Sequence, residues 1–84
     1  MPIGGSATMT DLPAFDAPRK RSVLLDGHAT SVSLEAAFWD GVRVLAEREG
    51  ISRAQYIARI DHARPAGVGL ATALRLAVLA GLRA

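Results

Sequence analysis

The 84-residue sequence predicts a mainly α-helical domain with one short β element. Three observations indicate this fold class. An Asp-Gly pair at residues 26–27 separates two runs in which apolar and polar residues alternate. The pattern then changes to a helical period from about residue 35. Finally, Ser, Pro and Gly residues divide the remaining chain into two further helical stretches.

The size and composition of the chain predict a small domain that is stabilised by a second copy of itself. Half of the residues are apolar, which is too many for a disordered chain. A chain this short, however, buries a modest fraction of its surface and is marginally stable alone. Because the sequence has no cysteine, disulfides and thiolate metal sites are excluded, and oligomerisation is the expected stabilising device.

The first 18 residues are rich in Gly, Ala, Thr and Pro without periodicity, and we expect them to form a flexible tail. The basic run that ends this tail, Pro18 to Arg21, is either a solvated linker or an arm that contacts phosphates. A net charge of +2 permits a nucleic-acid partner without requiring one.

The expected location is the cytoplasm, because no apolar run at the N-terminus resembles a signal peptide. The most apolar stretch, Val68 to Leu82, is too short to span a bilayer and contains Arg75. We therefore expect no membrane contact.

Residues 21–34 are predicted to form a β-hairpin around Asp26-Gly27, a pair that favours the two-residue type I′ turn. This turn would place Leu25 opposite His28. One face of the hairpin would then be apolar and pack on a core, and the other would be small, polar and partly basic. The apolar face contains Val23, Leu25, Thr30, Val32 and Leu34, and the other contains Lys20, Ser22, Leu24, Ala29, Ser31 and Ser33.

The first helix is predicted over residues 35–49. Phe38, Val42 and Leu45 fall on one stripe of this helix, with Trp39 beside it. Gly41 in its interior costs about 1 kcal/mol relative to alanine. We expect this cost to be offset by the close approach of another backbone.

The second helix is predicted over residues 53–62, because Ser52 and Gln55 fit a capping box and Ile51 and Tyr56 fit a hydrophobic staple. Pro65 and two glycines then break the chain. The third helix, over residues 69–83, is apolar on nearly all sides, which predicts burial on most sides and again a partner chain.

The motifs of common enzyme and metal sites are missing from the sequence. It has no Gly-rich phosphate loop and no paired metal-ligand spacing. The carboxylate–histidine neighbours Asp26 with His28 and Asp61 with His62 are expected to be surface pairs rather than sites. We therefore expect no catalytic residues, no metal ligands, no cofactor and no enzymatic activity.

The stretch TSVSLEAAFWDGVRVLAEREGISRAQYI, residues 30–57, resembles the ribbon-helix-helix superfamily, the Arc/MetJ-type DNA-binding dimers. Residues 20 to about 80 are similar to a small bacterial branch that adds a strand before the ribbon and an apolar helix at the end. The resemblance implies a homodimer with an intermolecular antiparallel sheet and three helices per chain. It further implies a DNA-binding transcriptional regulator.

The resemblance also assigns roles to residues of this chain. The base-facing positions would be Ala29, Ser31 and Ser33. Phosphates would be bound at the start of the second helix, where unpaired amides favour anions, with help from the basic run. The resemblance places this site at Ser52, Arg53 and Ala54, and the charge of the basic run adds Lys20 and Arg21 as phosphate-binding residues. The dimer core would contain Val32, Leu34, Phe38, Val42, Leu45 and Ile57.

Two departures from the family pattern leave a second function open. Alanine and serine side chains discriminate poorly between bases, unlike the Arg, Lys, Asn or Gln that read bases by paired hydrogen bonds. A dimer with an extra strand in each chain would have four strands and span about 14 Å, which exceeds the roughly 12 Å of the major groove. The alternative is a protein-interaction or antitoxin-like dimerisation module that contacts a protein partner through residues 1–18.

Overall fold

A computed structural model describes residue 12 and residues 15–84. Within them the chain forms β1 (Arg19–Leu25), β2 (His28–Leu34), α1 (Ala36–Arg48), α2 (Arg53–Ala63) and α3 (Leu70–Arg83). The predicted fold class is confirmed, with a two-stranded antiparallel sheet and three helices. The predicted tail lies largely outside the described residues, and residues 15–18 have no regular secondary structure.

The β-hairpin closes through the predicted turn. Asp26 and Gly27 have φ angles of 51° and 81°, so both central residues adopt the positive φ that a type I′ turn requires. Leu25 pairs with His28, as expected from the turn. The strands keep this register to their far end, where Arg19 pairs with Leu34.

Helices α1 and α3 approach each other closely at two glycines. A Cβ added to Gly41 would overlap Cγ1 of Val78, and one added to Gly81 would lie 2.6 Å from Cδ1 of Leu45. The space that a side chain would fill is therefore occupied by the opposite helix. A close approach was expected at Gly41, but the groups that meet it are the side chains of Val78 and Leu82 rather than another backbone.

The hairpin and the three helices enclose one apolar core, and no polar or charged residue is buried in the described part of the chain. Five residues predicted for a dimer core are buried inside this single chain: Val32, Leu34, Val42, Leu45 and Ile57. Phe38 is half-buried against the same cluster. Since these side chains already pack within one chain, a second copy would have to meet other surfaces.

Two surfaces of the single chain are left uncovered: one edge of β2 and one face of α3. β1 packs mainly against α2, whereas β2 packs against α1 and α3. β2 pairs with β1 along one edge, and its other edge has no strand partner within residues 15–84. α3 was expected to be buried on most sides, yet one of its faces carries exposed leucines.

Candidate nucleic-acid interface

The outer face of the hairpin is solvent-exposed and carries the three residues predicted to face bases. Ser31 pairs with Ser22, Ser33 with Lys20, and Ala29 with Leu24. All six side chains are exposed. Because strand side chains alternate between faces, the apolar set lies beneath them on the core. This face offers small hydroxyl groups, one ammonium group and an apolar pair near the turn.

The capping box at the start of α2 forms as predicted. The Gln55 amide donates to Oγ of Ser52 at 3.0 Å, and the Ser52 amide donates to Oε1 of Gln55 at 2.8 Å. The Ser52 amide is thus engaged by the cap. The amides of Arg53 and Ala54 have no acceptor inside the helix, because they belong to its first turn.

The distribution of ion pairs leaves positive charge near this helix start. Every Asp and Glu side chain in the described part of the chain has a basic side chain within 4.0 Å. Five lysine and arginine residues have no such carboxylate partner among the described residues: Lys20, Arg21, Arg48, Arg53 and Arg83. Lys20, Arg21 and Arg53 lie on β1 and at the start of α2, and we call them the β1–α2 basic cluster.

Two members of this cluster converge on one hollow. Arg21 and Arg53 both line it, with Trp39 and Ile57 among the apolar residues of its wall. The Arg21 guanidinium carbon lies 5.2 Å from the centre of the Trp39 ring, within the range of a cation–π contact. The hollow therefore combines two positive groups with an apolar wall at the edge of the sheet.

Trp39 holds β1 in this position. Its Nε1 atom donates a hydrogen bond of 2.9 Å to the backbone carbonyl of Arg19. The ring itself is buried, with 5% of its surface exposed. The sequence pattern placed Trp39 beside the core stripe, but nothing in it indicated a contact with a backbone group 20 residues earlier.

The start of α1 is joined to α3 by a two-pronged ion pair. Arg75 donates from Nε and Nη2 to the two carboxylate oxygens of Glu35, at 2.8 and 3.0 Å. The hydrogen bonds from Arg75 lower the pKa of Glu35 below its usual value, and those same bonds raise the pKa of Arg75. The arginine inside the most apolar stretch therefore orients α3 against its own chain.

The carboxylate–histidine neighbours of the sequence meet each other across the fold. Asp26, Asp61 and His62 bring ligand-type atoms within 4.8 Å of one another. His62 contacts Asp26, and Asp61 bonds to Arg64 at 2.8 Å. Each carboxylate has a basic partner, and the pairs are Asp26 with His62 and Asp61 with Arg64 rather than the sequence neighbours.

Comparison with known proteins identifies the fold family. A family model described as a ribbon-helix-helix domain matches residues 18–82. Neither the curated proteins nor the solved structures include a significant match. Among the described residues, no helix has the length and apolar character needed to cross a membrane. The chain belongs to the ribbon-helix-helix family, whose members are generally DNA-binding transcription regulators or antitoxins and usually form dimers.

Proposed function

We propose that this chain is a homodimeric DNA-binding protein that regulates transcription in the bacterial cytoplasm, without enzymatic activity or a cofactor. The observation that carries the proposal is the β1–α2 basic cluster. Of its three cations, Lys20 lies on the exposed outer face of the sheet, and Arg21 and Arg53 line the hollow at the β1 edge. They have no carboxylate partner within the described residues, so phosphates would not have to displace an internal ion pair.

In the proposed dimer, the two β2 strands pair along their open edges. The sheet then has four strands, with a β1 strand at each outer edge and a β1–α2 basic cluster beside it. This arrangement satisfies the open edge of β2 and places positive charge on both flanks of the sheet. It fits DNA whose phosphates run along the two flanks.

The affinity of such a complex would come mainly from phosphates. A four-stranded sheet spans about 14 Å and cannot enter the roughly 12 Å major groove as deeply as two strands do. The hydroxyl groups of Ser31 and Ser33 can each donate or accept a hydrogen bond, so they do not discriminate strongly between bases. We therefore propose weak sequence selectivity through contacts, with DNA shape as the remaining source of preference.

The experiment is a DNA titration at several salt concentrations, with wild-type protein and Arg53→Ala. The logarithm of the binding constant should fall steeply with the logarithm of the salt concentration. Arg53→Ala should reduce that slope by about 1 for each chain that contacts a phosphate. A Ser31→Ala/Ser33→Ala variant should keep the slope, since it removes no positive charge.

The matched control is Arg48→Ala. Arg48 also has no carboxylate partner among the described residues, but it lies at the C-terminal end of α1 and does not line the hollow of Arg21 and Arg53. Its replacement should leave the slope unchanged. Wild-type protein that binds no DNA in a salt-dependent way would overturn the proposal.

The second candidate is a protein-interaction or antitoxin-like module. The observation that favours it is the apolar part of the outer sheet face, where Leu24 is 66% exposed and pairs with Ala29. Phe15, at the end of the predicted tail, is 81% exposed. Deletion of residues 1–18 should then abolish capture of the protein partner without changing the dimer mass, and unchanged capture would contradict this candidate.

A further inference from the structure

One face of α3 exposes a row of leucines. Leu76, Leu79 and Leu82 are 60%, 48% and 46% exposed. They follow one another at intervals of three residues, so they span about 120° of the helix circumference. A contiguous apolar surface of this kind on a soluble domain usually marks a contact site.

These leucines are not needed to hold α3 on its own chain. Leu74 and Val78, on the adjoining side of the helix that faces the core, are 0% and 2% exposed. Arg75 fixes the helix to Glu35 by two hydrogen bonds. Of the three exposed leucines, only Leu82 reaches the α1 contact near Gly41.

We propose that the leucine face of α3, formed by Leu76, Leu79 and Leu82, packs against the same face of a second copy of this chain. The inference rests on the homodimer of the proposed function and names a contact surface for it. The two helices would run antiparallel about the two-fold axis of the dimer. The contact adds a helix pair to the pairing of the β2 strands.

The position of α3 indicates a second copy as the occupant. α3 packs on β2, whose other edge has no strand partner in the described part of the chain, while α2 packs mainly on β1, the other strand of the sheet. A two-fold axis perpendicular to the sheet, through the open edge of β2, makes the two β2 strands antiparallel and places both α3 helices on the same face of the sheet, next to the new strand pair. The helix contact continues the strand contact.

The charge of the face also fits a copy of itself. The helix has no acidic residue, and its two basic residues are Arg75 and Arg83. Arg75 is neutralised by Glu35, which leaves Arg83 in the last turn. An antiparallel pair places the two Arg83 side chains at opposite ends, so like charges stay apart and the helix dipoles oppose each other.

The test is the dissociation constant of the dimer, measured by sedimentation equilibrium for wild-type protein and for Leu76→Gln/Leu79→Gln. Glutamine keeps the side-chain length and a good helix propensity. Both positions are exposed in a single chain, so the fold should persist, as far-UV circular dichroism would show. The dissociation constant should rise at least about tenfold, because four leucines per dimer lose their apolar contact.

The matched control is Leu24→Gln, which replaces a leucine that is 66% exposed on the outer face of the sheet. It should dimerise as the wild type does. Leu79→Ala alone should raise the dissociation constant by a smaller factor. If the double variant fails to fold, the dissociation constant of Leu79→Ala tests the contact instead. A double variant that dimerises like the wild type, or a wild type that is monomeric, overturns the inference.

The same proteins separate this inference from DNA binding. A wild-type dimer that is weakened by the α3 substitutions but binds no DNA would support the contact and overturn the proposed regulator. A wild-type dimer that binds DNA, and whose dissociation constant does not change with the α3 substitutions, would support the proposed DNA binding and overturn the α3 contact. The two readouts, mass and DNA titration, are therefore independent.

Discussion

The Nε2 atom of His62, near the C-terminal end of α2, lies 2.7 Å from Oδ2 of Asp26 in the β-turn. The hydrogen bond to Asp26 raises the pKa of His62 above its usual 6.5, and the negative charges of Asp26 and Asp61 add to this. The contact joins the hairpin tip to a helix 36 residues later in the chain. It is strongest when the imidazole is protonated.

The first prediction is that stability falls as pH rises through the range where His62 loses its proton. A histidine whose folded pKa is raised contributes stability that is fully present below the unfolded value of 6.5 and lost above the folded value. Urea unfolding from about pH 5.5 to pH 8.5 measures this loss.

Asp26→Asn is the informative variant for this pair. Asparagine tolerates the positive φ of the turn, so the hairpin should remain. The loss of stability above pH 6.5 should become shallower, because the carboxylate that raises the pKa of His62 is gone. An identical pH dependence in the variant and the wild type would contradict the assignment.

The second prediction concerns Gly41. Alanine normally stabilises a helix interior by about 1 kcal/mol relative to glycine. Here the added methyl group would overlap Val78, so we expect Gly41→Ala to lower the free energy of unfolding by about 1–3 kcal/mol. In the Val78→Ala background, where the overlapping methyl group is gone, Gly41→Ala should lower the free energy of unfolding by less than it does in the wild type. Additive effects in urea unfolding would show that the helices do not meet there.

The third prediction tests the anchor of β1. Trp39→Phe removes the hydrogen bond to the Arg19 carbonyl and part of a buried ring. We expect the free energy of unfolding to fall by about 1–2 kcal/mol. Amide exchange should increase more in β1 than in α2, because the bond holds the start of that strand. Uniform destabilisation of both elements would contradict a local anchor.

The parts of the fold that sequence predicted well depend on neighbours in the chain. The residues Asp26 and Gly27 favour the turn that they themselves form, and the Ser52–Gln55 cap involves residues three positions apart. Gly41 indicated a close approach without naming the partner. The bonds that fix the arrangement join Trp39 to Arg19 over 20 residues and Arg75 to Glu35 over 40. One sequence contains no pattern that pairs such distant positions.

In the core and the candidate site, too, local features were predicted from the sequence and contacts between distant residues were not. The hairpin faces followed from alternation, and the structure places Ser31 and Ser33 on the exposed side. The closure of the core within one chain was not predicted, because it depends on where α3 and β1 pack. Likewise, Arg21 was assigned to phosphates from the basic run and Arg53 from the family resemblance, and their convergence on one hollow required the folded arrangement.

The last prediction uses that convergence. Arg21 and Arg53 line one hollow, so a phosphate seated there would contact both guanidinium groups. Because removal of either arginine weakens the contact made by the other, the loss of DNA affinity in Arg21→Ala/Arg53→Ala should differ from the sum of the single losses. We expect a coupling of at least about 0.5 kcal/mol. The measurement is a double-mutant cycle of DNA titrations at one fixed salt concentration.

The control cycle pairs Arg21→Ala with Arg48→Ala, since Arg48 does not line the hollow. These two losses should add, because the side chains do not share a phosphate. Equal coupling in both cycles would indicate that the arginines act through the overall charge of the chain. Additive losses for Arg21 and Arg53 would place them on separate phosphates, which would remove the hollow as the shared contact.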